Sequence, residues 1–77
     1  MILQFENSEG KRKIIGNPET MQEAWEIIDK FLKDHKFKSH YKRLNLFDTE
    51  WQIDVGSWSE FFYLSDIPDE IKKEYKN

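Results

Sequence analysis

From Arg43 to Val55 the chain alternates on either side of a turn. Leu44, Leu46, Trp51, Ile53 and Val55 are apolar, and Arg43, Asn45, Gln52 and Asp54 are the polar residues among them. A period of two is the mark of a strand with one buried face. A hairpin turning between Asp48 and Thr49 sets Leu46 opposite Trp51 and Leu44 opposite Ile53, with Lys42 beside Val55. Its other face then sets Arg43 opposite Asp54, Asn45 opposite Gln52 and Phe47 opposite Glu50. A slip of one residue would mix polar and apolar groups on both faces, so the pattern selects this register. A second turn over Gly56-Ser57-Trp58-Ser59 extends it, with Ile53 opposite Phe62 and Trp51 opposite Leu64. Successive strand side chains point to opposite faces. The run Phe61-Phe62-Tyr63-Leu64 therefore cannot turn all its side chains toward one core; this register sends Phe61 and Tyr63 to the second face, and a slipped one would exchange the two pairs.

The remaining elements follow from local signals. Residues 2–6 form a strand, Asn7-Ser8-Glu9-Gly10 a turn, and Lys11 to Ile15 a returning strand that Gly16-Asn17-Pro18 stops. Met21, Ala24, Trp25, Ile28, Phe31, Leu32 and His35 recur at offsets of three and four, which places them on one helical stripe. The helix begins either with Pro18 after Asn17 or, later, with Thr20 and Glu23 as a capping box. Its acids come early and its lysines late, which complements the macrodipole. In the tail, Pro68 precedes a short helix with Ile67, Ile71 and Tyr75 on one side, too short to be stable alone. The expected fold is a single α+β domain over residues 1–77. It has an antiparallel sheet of four to five strands, one main helix on one face and the order β-β-α-β-β-β-α.

Size sets the energetic terms. A chain of 77 residues buries only about 60–65% of its unfolded surface. Cysteine is absent, which removes disulfides and thiolate metal sites. The twelve aromatic residues compensate, each burying roughly 150–250 Å². The start, Met1-Ile2-Leu3-Gln4-Phe5-Glu6, has no basic leader, and no apolar run approaches the ~20 residues of a bilayer span. The expectation is a cytoplasmic protein with no membrane partner.

Charge is unevenly distributed. Residues 30–43 carry six basic groups and one acid, whereas residues 44–71 carry seven acids, six aromatic rings and no basic group or histidine. Blocks of opposite sign either pair within the fold or mark distinct surfaces.

Catalytic patterns are missing. His35 and His40 are five apart, where a helical zinc pair needs four, so His35 is expected to cap the helix or be partly buried and His40 to lie at the surface in or near a loop. Gly56-Ser57-Trp58-Ser59 joins two strands and is not a nucleophile elbow. Asp48, Glu50 and Asp54 belong to a small open sheet, where a cross-strand pair of Asp54 with Arg43 is the simpler reading. Lys11-Arg12-Lys13 suits a solvated, edge-protecting strand. The glycines Gly10, Gly16 and Gly56 stand apart at turns, so no phosphate-cradling loop is present. The expectation is a protein that is not an enzyme and holds no metal or cofactor.

The second sheet face carries the functional expectation. It would show Phe47, Phe61 and Tyr63 among Arg43, Asn45, Glu50, Gln52 and Asp54, and an aromatic patch of this kind is covered or used. Three occupants compete: the tail helix folding back, a second copy of the chain in a homodimer, or a different protein. The carboxylates repel phosphate and favour a basic protein partner. The predicted docking residues are Phe47, Glu50, Asp54, Trp58, Phe61 and Tyr63. One alternative is a nucleotide or small ligand at a dimer interface, stacked on Trp58 and Tyr63, with Lys42 and Arg43 toward phosphate. Another is nucleic acid along the basic patch Lys33, Lys36, Lys38, Lys42 and Arg43, with Phe37 and Tyr41 as stacking rings. An acidic chain disfavours that partner.

The stretch Phe37-Lys38-Ser39-His40-Tyr41 through Asp54-Val55-Gly56-Ser57-Trp58-Ser59-Glu60-Phe61-Phe62 resembles small uncharacterised proteins of phages and prophages of Gram-positive bacteria. Those are also short, acidic, free of cysteine and rich in Lys, Asn and aromatics. The resemblance covers the last half of the chain and centres on Gly-Ser-Trp-Ser-Glu-Phe-Phe. It implies a mobile-element origin and a role in inhibiting or redirecting a host protein, including a defence nuclease. It carries over no catalytic residue.

Overall fold

The computed structural model describes residues 1–38 and 41–75. The elements are β1 (Ile2–Glu6), β2 (Arg12–Gly16), α1 (Met21–Asp34), β3 (Arg43–Leu46), β4 (Trp51–Asp54), β5 (Phe61–Ser65) and α2 (Asp69–Tyr75). This is the α+β order expected from the sequence. The strands form one antiparallel sheet in the order β2-β1-β5-β4-β3. The last strand of the chain is thus the middle of the sheet.

Both hairpin registers follow the hydrophobic pattern. Leu44 pairs with Ile53 and Leu46 with Trp51. Trp51 pairs with Leu64 and Ile53 with Phe62. The pairing that sequence periodicity could not supply is β1 with β5, which sets Leu3 opposite Leu64 and Phe5 opposite Phe62. A bulge between Leu3 and Gln4 interrupts the β1–β2 ladder.

Thr20 is the N-cap of α1. Its Oγ1 accepts from Glu23 N at 3.1 Å, and Glu23 Oε2 accepts in return from Glu19 N at 2.8 Å. The later of the two expected starts is therefore the one used. At the other end Lys36 adopts a left-handed conformation, φ 55°. Its N–H donates to Lys33 O at 3.1 Å and that of Phe37 donates to Leu32 O at 2.9 Å. This pair of bonds is a Schellman closure, built here on a lysine where glycine is usual. His35 caps the helix as expected, with Nδ1 2.8 Å from Phe31 O and its ring stacked on Phe31 at 4.0 Å. His40 lies outside the described residues.

The core lies between the sheet and the helices. Ala24, Ile28 and Leu32 of α1 pack with Leu3, Trp51, Ile53, Val55, Phe62 and Leu64 of the strands. Phe5, Phe31 and Phe62 form a tilted and edge-on triad with centroids 4.6 to 5.5 Å apart, a preferred geometry for aromatic contact. Ile67 is buried in this same cluster, Ile71 packs against it, and the Tyr75 ring lies 5.5 Å from that of Trp51. The short tail helix therefore shares the core face with α1. It does not cover Phe61 and Tyr63, which was the first occupant weighed for that face. The reason is geometric: α1 runs nearer β2 than β3, and Trp51, the largest enclosed side chain, needs cover at the far side of the sheet.

Candidate docking surface

Tyr63 stands in the centre of the second face. Its strand neighbours are Gln4 on β1 and Gln52 on β4, and Gln52 in turn pairs with Asn45 on β3. The side chains form a ladder. Asn45 Nδ2 donates to Gln52 Oε1 at 3.0 Å, and Gln52 Nε2 donates to the Tyr63 hydroxyl at 3.0 Å. Arg12 of β2 lies over the ring, its guanidinium carbon 3.7 Å from the centroid. Its Nη1 and Nη2 donate to the two carboxylate oxygens of Glu50 at 2.8 and 3.1 Å, and its Nε donates to Glu6 Oε2 at 3.0 Å. The fork-on-fork contact with Glu50 is the strong form of such a pair. The hydrogen bonds from Glu50 first, with Glu6 also contributing, raise the guanidinium pKa above its ordinary value against the opposing effect of burial.

These contacts change what the face offers. Tyr63 keeps only 8% of its surface exposed. A base stacking on the face covered by Arg12 would have to displace that residue. Glu50 is occupied by Arg12, and Asp54 Oδ1 accepts from Gly56 N at 2.9 Å. Phe61 is half-buried. Phe47 and Trp58 stay exposed, at 47% and 100%. They flank opposite ends of β4, which at ~3.3 Å per residue separates them by roughly 13 Å or more. Tyr63 is covered, and the other five predicted docking residues fall into two groups. Phe47 and Glu50 sit at the β3–β4 turn, whereas Asp54, Trp58 and Phe61 sit around the β4–β5 loop.

The loop around Trp58 is held by the Ser57 hydroxyl. Ser57 Oγ accepts from Glu60 N at 3.1 Å and from Ser59 N at 3.4 Å, the turn role expected of serine there. Gly56 has φ +93°, and the Tyr41 ring packs 3.8 Å from the point where a Cβ would stand. Beside the loop, Phe5, Phe31, Phe37, Phe62 and Glu60 are among the residues lining a cleft of about 230 Å³. Of the basic patch, Lys42 is ion-paired with Asp29 and Arg43 lies opposite Asp54, while Lys33, Lys36 and Lys38 are exposed.

Lys11, Arg12 and Lys13 lie exposed at an edge strand, as the sequence leads one to expect, but Arg12 also bridges β2, β1, β5 and the turn before β4, a role its local sequence does not show. Only the β1–β5 adjacency brings it near Glu50, and no local pattern announces that adjacency. Among the described residues, no group of three or more His, Asp or Glu is placed to hold a metal ion, and no helix is long and apolar enough to cross a membrane. No family model, curated protein or solved structure matches the chain.

Proposed function

We propose that this chain is a protein-binding module of phage or prophage type that inhibits or redirects a host protein, acting by contact and not by catalysis. The observation that carries this reading is Trp58, whose side chain is fully exposed on a loop closed by its own hydrogen bonds. A large ring without cover is costly in water, and tryptophan is the residue type most enriched among interface anchors. Phe61 and Asp54 beside it supply further contact area and one carboxylate toward a basic target. Phe47 lies too far away to belong to the same anchor and serves at most as a peripheral contact. Host-cell extract passed over immobilised chain tests the reading. A protein retained by the native chain and lost with Trp58→Ala, at equal thermal stability, supports it. Identical retention by both chains would overturn it.

One observation favours a second reading. The Tyr41 ring lies against Gly56, so the basic segment adjoins the loop that carries Trp58. Lys33, Lys36 and Lys38 with Trp58 and Tyr41 then compose a small site for single-stranded nucleic acid, using ring stacking and charge. Binding to a labelled oligonucleotide that falls steeply with added salt would distinguish it from protein docking.

A further inference from the structure

The sheet has two edges, and they are built differently. On the β2 edge lie Lys11, Arg12 and Lys13, all exposed, followed by the exposed Ile14 and then, toward the other end of the strand, by a bulge in the β1–β2 ladder. Charge and bulges are the usual devices that stop an edge from pairing with another chain. The β3 edge has no bulge. It is the terminal strand, and α1 lies away from it toward β2. Leu46 is 37% exposed there and Leu44 is half-buried. Asn45 ends the ladder from Tyr63 with its amide oxygen unpaired among the described residues.

From these features we infer that β3 pairs antiparallel with β3 of a second copy, about a two-fold axis at Asn45. A two-fold axis normal to the sheet keeps like faces together, so strand centres fall on residues and not between them. Three centres are available. Centring on Leu44 sets Lys42 against Leu46 of the other copy, and centring on Leu46 sets Leu44 against Asp48; each mismatches charge with an apolar group. Centring on Asn45 sets Leu44 against Leu46 within the strands and, at the strand ends, brings Arg43 toward Phe47 and Lys42, which pairs with Asp29 in the single chain, toward Asp48 in the turn, each twice. Opposite charges and cation–ring pairs brought together at the ends of a ladder are favourable. The two Asn45 amides meet at the axis, each offering its remaining N–H and its oxygen to the other. The side-chain ladder then runs unbroken from one Tyr63 to the other. The occupant of this edge is therefore a second copy of the chain, in a ten-stranded sheet with all helices on one side. This pairing is independent of the Trp58 reading, which concerns the opposite end of β4.

Solution mass measured by light scattering tests it through charge reversal. The native chain is expected at twice the mass of one copy. Lys42→Asp alone and Asp48→Lys alone each set like charges against each other twice and are expected as monomers. An equimolar mixture of the two is expected to regain the dimer mass, because each reversed residue then meets its opposite. Circular dichroism establishes that both variants fold. Should either be unfolded, Leu46→Lys, at a position already open to solvent in the single chain, decides: a monomer supports the pairing and a dimer overturns it. A monomeric native chain, a dimer that survives either reversal, or two folded variants that fail to associate when mixed also overturns it.

Discussion

The Arg12 guanidinium covers the Tyr63 ring at 3.7 Å and reaches past it to Glu50. One side chain thereby links two hairpins that meet only through the β1–β5 pairing. The three groups are partly exposed, about a third or less of each charged side chain, so solvent weakens their attraction. Replacing Arg12 by Ala removes ring packing as well as charge. The expected loss is about 1–2 kcal/mol in urea unfolding. Arg12→Lys should recover only part of it, because an ammonium cannot make the two-pronged contact.

Gln52→Leu keeps the side-chain size and removes both rungs of the ladder. The Tyr63 hydroxyl and the Asn45 amide each lose a partner in a part-buried setting. Stability should fall by roughly 1–2 kcal/mol. Tyr63→Phe, which removes only one rung, should cost less in the same denaturation experiment.

Lys36→Gly is expected to stabilise. Lys36 holds φ 55° at the end of α1, where a side chain is strained and glycine is not. The gain should be about 0.5–1 kcal/mol, seen as a raised melting temperature. Because the change also removes one charge from the basic patch, weaker oligonucleotide binding by a more stable protein would support the nucleic-acid reading.

Thr20→Ala removes the acceptor for Glu23 N. The expected cost is about 1 kcal/mol, as for other N-caps. Helix content by circular dichroism should hold below the transition and be lost at a lower temperature.

Trp58→Ala and Trp51→Ala should diverge. Trp58 is fully exposed and Trp51 is enclosed. The first should leave stability within about 0.5 kcal/mol, and the second should cost about 3–5 kcal/mol. Equal destabilisation would mean that Trp58 packs in solution and is no anchor.

The parts of this fold that could be read from the chain are those set by near neighbours. Alternation fixes the β3–β4 hairpin, since Leu44, Leu46, Trp51 and Ile53 admit one register, while the uninterrupted apolar run Phe61–Leu64 leaves a slip of the next hairpin open until Phe62 and Leu64 are seen opposite Ile53 and Trp51. Thr20 and Glu23 marked the helix start. What could not be read depends on distant partners. Nothing near Arg12 says that β1 will lie beside β5, so its reach to Glu50 was out of view. The same holds for the tail: Ile67 and Ile71 announce an apolar side, yet which face receives it depends on where α1 leaves Trp51 bare. Of the candidate docking residues, the exposure of Trp58 was legible from its turn, whereas the covering of Tyr63 was not.

The placement of β5 between β1 and β4 has a consequence for biosynthesis. Each hairpin is local and can close as soon as it emerges, but the two have no shared border until Phe61–Ser65 arrives. One cooperative sheet therefore exists only after Phe61–Ser65 has left the ribosome, and a product cut short before Phe61 would hold two ribbons with no strand between them. Joining distant segments is the slow kind of contact, so the docking of β5 against β1, not growth of α1, should time the folding.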